Sequence, residues 1–226
     1  ITPADFFYQN RSLAGFTTER ALIQAVREAV ENSLDSCELI KARPKIKVVL
    51  KELKEKGKTE NGLRYYSLTV TDNGSGIPEA LVPRAFGMVL FGSKFRIRQY
   101  RGQFGLGIKM AILYSQITTG EPIRVVTSTG TSYLYEFLLN IDLQKNRPII
   151  RHKAVKPNPK KLHGTTITLI IPGKYRGRDD KLLNTYFTLT SIANPHATLI
   201  FQPPDGEAII FKGCLLYTSP SPRDRG

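Results

Sequence analysis

Arg101-Gly-Gln-Phe-Gly-Leu-Gly-Ile-Lys109 is the stretch on which the fold turns. Glycines at 102, 105 and 107 let backbone N–H groups close on an anion, and the apolar run from Leu106 to Gln116 reads as a helix starting just behind them. Such a helix aims its N-terminal dipole at the same anion. The glycine order, G-x-x-G-x-G after a basic loop, differs from a dinucleotide fingerprint, which needs G-x-G-x-x-G straight after a strand. Nor does the stretch end in the Gly-Lys-Ser/Thr of a P-loop. Lys109, and Lys94 upstream, add cationic donors; a purely structural glycine turn is the competing reading.

Two further stretches fit the same ligand. In Arg27-Glu-Ala-Val-Glu-Asn-Ser-Leu-Asp35, Glu28 and Asn32 lie four apart on a predicted helix and so project from one face, with Glu31 and Asp35 on the neighbouring face. A carboxylate one turn from an amide suits metal-assisted phosphate hydrolysis. The amide oxygen of Asn32 can join a Mg²⁺ shell, which takes few protein ligands, and Glu28 can orient and deprotonate water. An ordinary exposed helix face is the bland alternative. Asp72-Asn-Gly-Ser-Gly-Ile77 follows a predicted strand. It reads either as a tight turn or as a carboxylate beside glycines that admit a flat base, Asp72 then accepting from an exocyclic amino group.

Around these stretches a helix is expected over 5–15, ended by Gly15, and a long one from about Glu19 to Leu39, capped by Thr17 or Thr18. The long helix carries a stripe of Leu22, Ala25, Val26, Ala29, Val30, Ser33 and Leu34. Lys45–Leu53 and Tyr65–Thr71 read as a hairpin with a polar tip, and 78–100 as a short helix and a mobile loop. Strands are expected at 123–127, 133–140, 149–155, 165–171, 198–201 and 208–212, with a helix over 179–193. Strands and helices in runs favour an α+β sandwich over a doubly wound sheet.

The 226 residues carry 33 Lys and Arg against 19 Asp and Glu, an excess that favours a polyanionic partner, nucleic acid ahead of membrane. The positive charge gathers at 41–58, 151–161 and 174–178, without the aromatic interleaving of a single-strand platform. Contacts to duplex phosphates with little sequence preference are therefore expected; a solvated basic surface is the alternative. Two cysteines, Cys37 and Cys214, and three scattered histidines give no disulfide framework or zinc spacing. No apolar run reaches membrane-span length and no signal peptide is read. The chain begins without methionine, so its natural start is expected upstream. The composition change at 213–226 reads as a linker or, preferred here, a non-native tail.

Together the stretches resemble the GHKL ATPase superfamily, which includes gyrase, MutL, heat-shock chaperones and histidine kinases. Its N-box is matched by Glu28 and Asn32, its Asp-Gly-x-Gly box by Asp72, Gly74 and Gly76, its phosphate lid by 101–109, and its last box by Gly164-Thr165. Within it, the chain is similar to B subunits of type IIB DNA topoisomerases, the topoisomerase VI family. Pro3-Ala-Asp-Phe-Phe7, Leu13-Ala-Gly-Phe16, Phe91-Gly-Ser-Lys94, Leu113-Tyr-Ser-Gln-Ile-Thr-Thr-Gly-Glu-Pro122 and Asn194-Pro-His-Ala197 carry that likeness from about residue 2 to 212.

The resemblance implies a Bergerat fold, a two-layer sandwich of a mixed, mainly antiparallel sheet with helices on one face. It would comprise an N-terminal strap (1–18) and the ATPase domain (19–212). ATP with Mg²⁺ would sit between the N-box helix and the lid. Glu28 would be the general base, Asn32 the metal ligand and Asp72 the adenine contact, with Gly76 beside it. Ser93, Lys94, Gly102, Gln103, Phe104, Gly105, Leu106, Gly107, Ile108 and Lys109 would embrace the phosphates, and Thr165 would help on the adenine side. The implied partners are a second B subunit, the topoisomerase VI A subunit and double-stranded DNA, in cytoplasm or nucleus according to source. In the family a transducer domain supplies a further lysine, so slow turnover is expected from this stretch alone. A non-hydrolysing partner in a meiotic DNA-break complex is the alternative; a histidine kinase would need a phosphoacceptor helix ahead of residue 19.

Overall fold

The structure, a computed structural model, describes residues 2–10, 16, 20–88, 107–177 and 180–212, with only the backbone of 3, 4, 6 and 10. The expected N-box helix is α2 (Ala21–Leu39), following a short α1 (Pro3–Asn10). Its buried side chains run Ala21, Leu22, Ala25, Val26, Ala29, Val30, Ser33, Leu34 and Cys37, the three-and-four spacing of one core-facing stripe. The start differs from the expectation. Arg20 occupies the N-cap and makes no side-chain cap bond, while Thr17 and Thr18 lie outside the described residues.

Past Leu39 the chain turns through Lys41 at φ 54° and Pro44 into β1 (Lys45–Glu52), which hairpins into β2 (Arg64–Thr71). The pairing is antiparallel, with Val48 opposite Val70 and Leu50 opposite Leu68, so one face of both strands is apolar. A Gly57-Lys58-Thr59 triplet does occur in the hairpin tip, but no helix follows it to cradle phosphate. Then come α3 (Val82–Gly87), α4 (Gly107–Thr119), β3 (Ile123–Thr129), β4 (Tyr133–Asp142), β5 (Arg147–Pro157), β6 (His163–Gly173), α5 (Lys181–Ala193), β7 (Thr198–Gln202) and β8 (Ile209–Lys212). Asp180 caps α5, accepting from the N–H groups of Leu182 and Leu183.

All eight strands form one sheet in the order β5-β4-β3-β6-β2-β1-β7-β8. Every pairing among the described strands is antiparallel except β1 with β7. This is the expected mixed α+β sandwich. Side chains from one sheet face and from the helices merge into a single buried cluster, in which Phe7, Phe16 and Tyr114 bring the N-terminal segment against α4. Among the described residues the other sheet face carries no such buried layer. The pairing that does most to shape the cavity is the insertion of β6 between β3 and β2, which sets Gly164 and Thr165 beside Asp72.

Candidate nucleotide site

Asp72 stands one residue past β2, half-buried at the sheet's end. Its Oδ1 accepts from the N–H of Gly74 at 2.8 Å and of Thr165 at 3.1 Å, and its Oδ2 accepts from the Ser33 hydroxyl at 3.1 Å. Its own N–H donates to the Thr165 carbonyl at 2.9 Å. Burial raises the carboxyl above its ordinary value, although the N–H groups of Gly74 and Thr165 and the Ser33 hydroxyl pull the other way. The carboxylate is thus locked in direction, with acceptor capacity left on Oδ2.

The glycines beside it are required by close approach. A side chain on Gly76, at φ 66°, would put its Cβ 1.9 Å from the Ser128 carbonyl oxygen; one on Gly164, at φ 130°, would meet the Asp72 carbonyl at 2.1 Å. Gly76→Ala is therefore expected to cost about 2–4 kcal/mol of stability, read as a lower Tm by calorimetry. An unchanged Tm would contradict the close contact. Thr127 bridges this corner, accepting from the Ile77 N–H at 2.9 Å and lying 3.1 Å from the Thr165 hydroxyl. Asn73 pins the turn to the start of β1, accepting from Lys45 N–H at 2.7 Å and donating to the Arg43 carbonyl at 3.0 Å. His163 Nδ1 lies 2.8 Å from the Gly74 carbonyl, and Cys37 is a buried free thiol.

Across the cavity, Glu28 rises from α2. Gln24 Nε2 donates to its Oε1 at 2.6 Å, and its carboxylate packs so tightly on Gly107 that a Cβ there would fall 1.5 Å from Oε2. Burial, then the charge of Glu31, raises its carboxyl above the ordinary value. Asn32, exposed one turn on, donates Nδ2 to the Glu28 carbonyl at 2.6 Å, and its Oδ1 accepts no hydrogen bond among the described residues. Lys109 is half-buried in the first turn of α4, with no carboxylate partner among the described residues, and desolvation lowers its ammonium. A cavity of about 470 Å³ opens between these groups, touched by Glu28, Asn32, Asp72, Gly107, Lys109 and Thr165. Gly76 and Ile108 also line it. Ser93, Lys94, Gly102, Gln103, Phe104, Gly105 and Leu106 lie outside the described residues.

The sequence missed Gln24, Thr127 and the bridging part of Ser33. Gln24 stands four before Glu28, and Ser33 is a hydroxyl within an apolar stripe, so both left a trace; Thr127 left none.

A sheet end, a locked carboxylate and a helix N-terminus around one cavity define a nucleotide-binding fold. The profile of the histidine kinase-, DNA gyrase B- and HSP90-like ATPases matches residues 17–174, well over half of the chain, and the chain belongs to that family. It is 43% identical over 214 residues to the B subunit of the type 2 DNA topoisomerase 6 of Sulfurisphaera tokodaii, covering 94% of this chain and 39% of that protein. The corresponding protein of Metallosphaera sedula is 40% identical over 93% of this chain and 39% of its own length. The chain thus spans about two fifths of the length of these relatives. Solved structures share the fold. The topoisomerase IV ATP-binding domain of Francisella tularensis superposes with a TM-score of 0.55 at 14% identity, over 92% of this chain and 53% of that one. The Aquifex aeolicus MutL ATPase domain complexed with ADP gives 0.51 at 16%, over 84% and 62%.

Proposed function

We propose that this chain is the ATP-binding and hydrolysing domain of a type IIB DNA topoisomerase B subunit, in which ATP-driven dimerisation gates the passage of one duplex through another. The observation that carries the reading is the meeting of Glu28, Asn32, Asp72, Gly107 and Lys109 on one cavity, in a chain 43% identical to a topoisomerase 6 B subunit. The A subunit, a second B subunit and double-stranded DNA are the partners this reading names. Its setting is intracellular. Among the described residues no helix is long and apolar enough to cross a membrane.

The residues present fit Mg-ATP. Asp72 lines the cavity and its Oδ2 keeps acceptor capacity beyond the Ser33 hydroxyl, suited to the exocyclic amino group of adenine and mismatched to the carbonyl of guanine. Thr165 and Gly76 complete that wall. At the other end the Lys109 ammonium and the N-terminus of α4, from Gly107 and Ile108, receive phosphate. The Asn32 carboxamide oxygen is a hard donor, free to take one position of a Mg²⁺ shell that otherwise keeps its waters. Bound there, the ion would neutralise charge developing on the phosphates. Residues 93, 94 and 102–106 are the further phosphate contacts that this reading names. Glu28 is the general base. Gln24 holds one carboxylate oxygen, Gly107 leaves room for the other, and burial raises its proton affinity towards what water abstraction requires.

Because the Glu28 carboxyl is raised, the acidic limb of the kcat profile should lie above the ordinary carboxylate range. Removing the neighbouring negative charge with Glu31→Gln should move that limb towards lower pH. A limb that stays put would remove Glu31 from the account. The dimerisation part is tested by sedimentation: with Mg²⁺ and a non-hydrolysable ATP analogue the chain should sediment as a dimer. A monomer at saturating analogue would contradict it.

A further inference from the structure

The sheet brings together basic segments that lie about a hundred residues apart. On β1, Lys45, Lys47 and Lys51 alternate with the buried Ile46, Val48 and Leu50, so all three stand exposed on the face turned away from the helices. Register carries that face across the sheet. Lys47 lies opposite Thr71, Thr71 opposite Thr166, and Thr168 opposite Arg124. Lys212 of β8 lies opposite Thr198, itself opposite Lys45. On β5, Lys156 reaches the same face and pairs with Glu136 there, while Arg151, at the β4–β5 bulge, bonds Asn140 Oδ1 at 2.9 Å.

Negative charge on this face is already committed. Glu136 is held by Arg124 at 2.6 Å and by Lys156, which depress its carboxyl to about 2. Asp142, at the far corner, accepts from the N–H groups of Gln144 and Lys145 at 3.0 and 2.9 Å. Lys45, Lys47, Lys51 and Lys212 have no ion pair among the described residues. Between the cations run hydroxyls, with Thr69 paired to Thr168 and Thr71 to Thr166, each at 3.0 Å. Such a surface offers phosphate oxygens both charge and short donors, set among apolar side chains such as Val49, Ile170 and the exposed Ile210.

We propose that this open sheet face is a docking surface for the backbone of duplex DNA. The choice of duplex over other polyanions rests on the topoisomerase reading above; the surface itself rests on charge and register. Across eight strands at about 4.8 Å spacing the face is roughly 34 Å wide, close to one helical turn of duplex. Contact is therefore with phosphates along about one turn, without base readout, and binding is steeply salt-dependent.

The test measures fluorescence anisotropy of a labelled 24-base-pair duplex against salt, for the whole chain and for the triple variant Lys45→Ala/Lys47→Ala/Lys51→Ala. The same samples are titrated with an ATP analogue. The variant should bind duplex at least about tenfold more weakly, with a log–log salt slope smaller by about 2.7. Lys174→Ala/Arg176→Ala, on the loop after β6, should change neither. Equal affinity and slope in parent and triple variant would overturn the proposal. So would a parent that ignores duplex or prefers phosphatidylserine vesicles. Analogue binding decides the nucleotide reading separately: its loss with intact duplex binding would sink that reading and leave the docking face standing.

Discussion

Glu28→Gln should abolish ATP turnover while leaving nucleotide binding intact. Glutamine keeps the length and keeps an acceptor for Gln24, so the side chain should stay where it is, against Gly107. What it loses is the ability to take a proton from water, a loss of about 100- to 10,000-fold in kcat. A single-turnover assay beside an analogue titration separates the two effects. Retained turnover would mean that another carboxylate, Glu31 or Asp35 on the neighbouring face of α2, supplies the base. Gly107→Ala approaches the same atom from the other side. Alanine favours the helix, yet its Cβ would claim the space of Oε2, so turnover should fall without loss of Tm.

Asp72→Asn should leave the fold standing and remove nucleotide affinity. The new carbonyl can still accept from Gly74 and Thr165, and the new amide can donate to the Ser33 oxygen, so the internal network survives. Towards the cavity, an N–H then replaces an acceptor. Facing an adenine amino group, donor would meet donor, at a cost on the order of a hundredfold in affinity. Calorimetry of the variant checks this, and its Tm guards against unfolding as the explanation. Unchanged affinity would take Asp72 out of base recognition and reduce it to a turn-former.

The Glu28–Asn32 pair and the Asp72 turn were legible because each is local. Glu28 and Asn32 share a helix face by spacing alone, and Asp72 follows a strand whose alternation is plain. Their convergence was not legible from spacing. It depends on β6 slipping between β3 and β2, a long-range pairing that sets Thr165 and Gly164 beside Asp72 and that no run of residues announces. Thr127 enters the site for the same reason. Along α2 the burial of nine side chains outweighs the kcal/mol or so that a capping hydroxyl contributes. β5 runs longer than expected, Arg147–Pro157, since an exposed edge strand shows no apolar alternation. The basic clusters were visible as charge, but only strand register puts Lys47 and Lys156 on one face.

The most direct test of the central claim is calorimetric titration of the whole chain with a non-hydrolysable ATP analogue and Mg²⁺, with the GTP analogue as comparison. Saturable, Mg²⁺-dependent binding selective for adenine, lost in Asp72→Asn, is the expected result. A folded sample that binds neither analogue, or binds both alike, would contradict an adenine nucleotide site between α2 and the Asp72 turn.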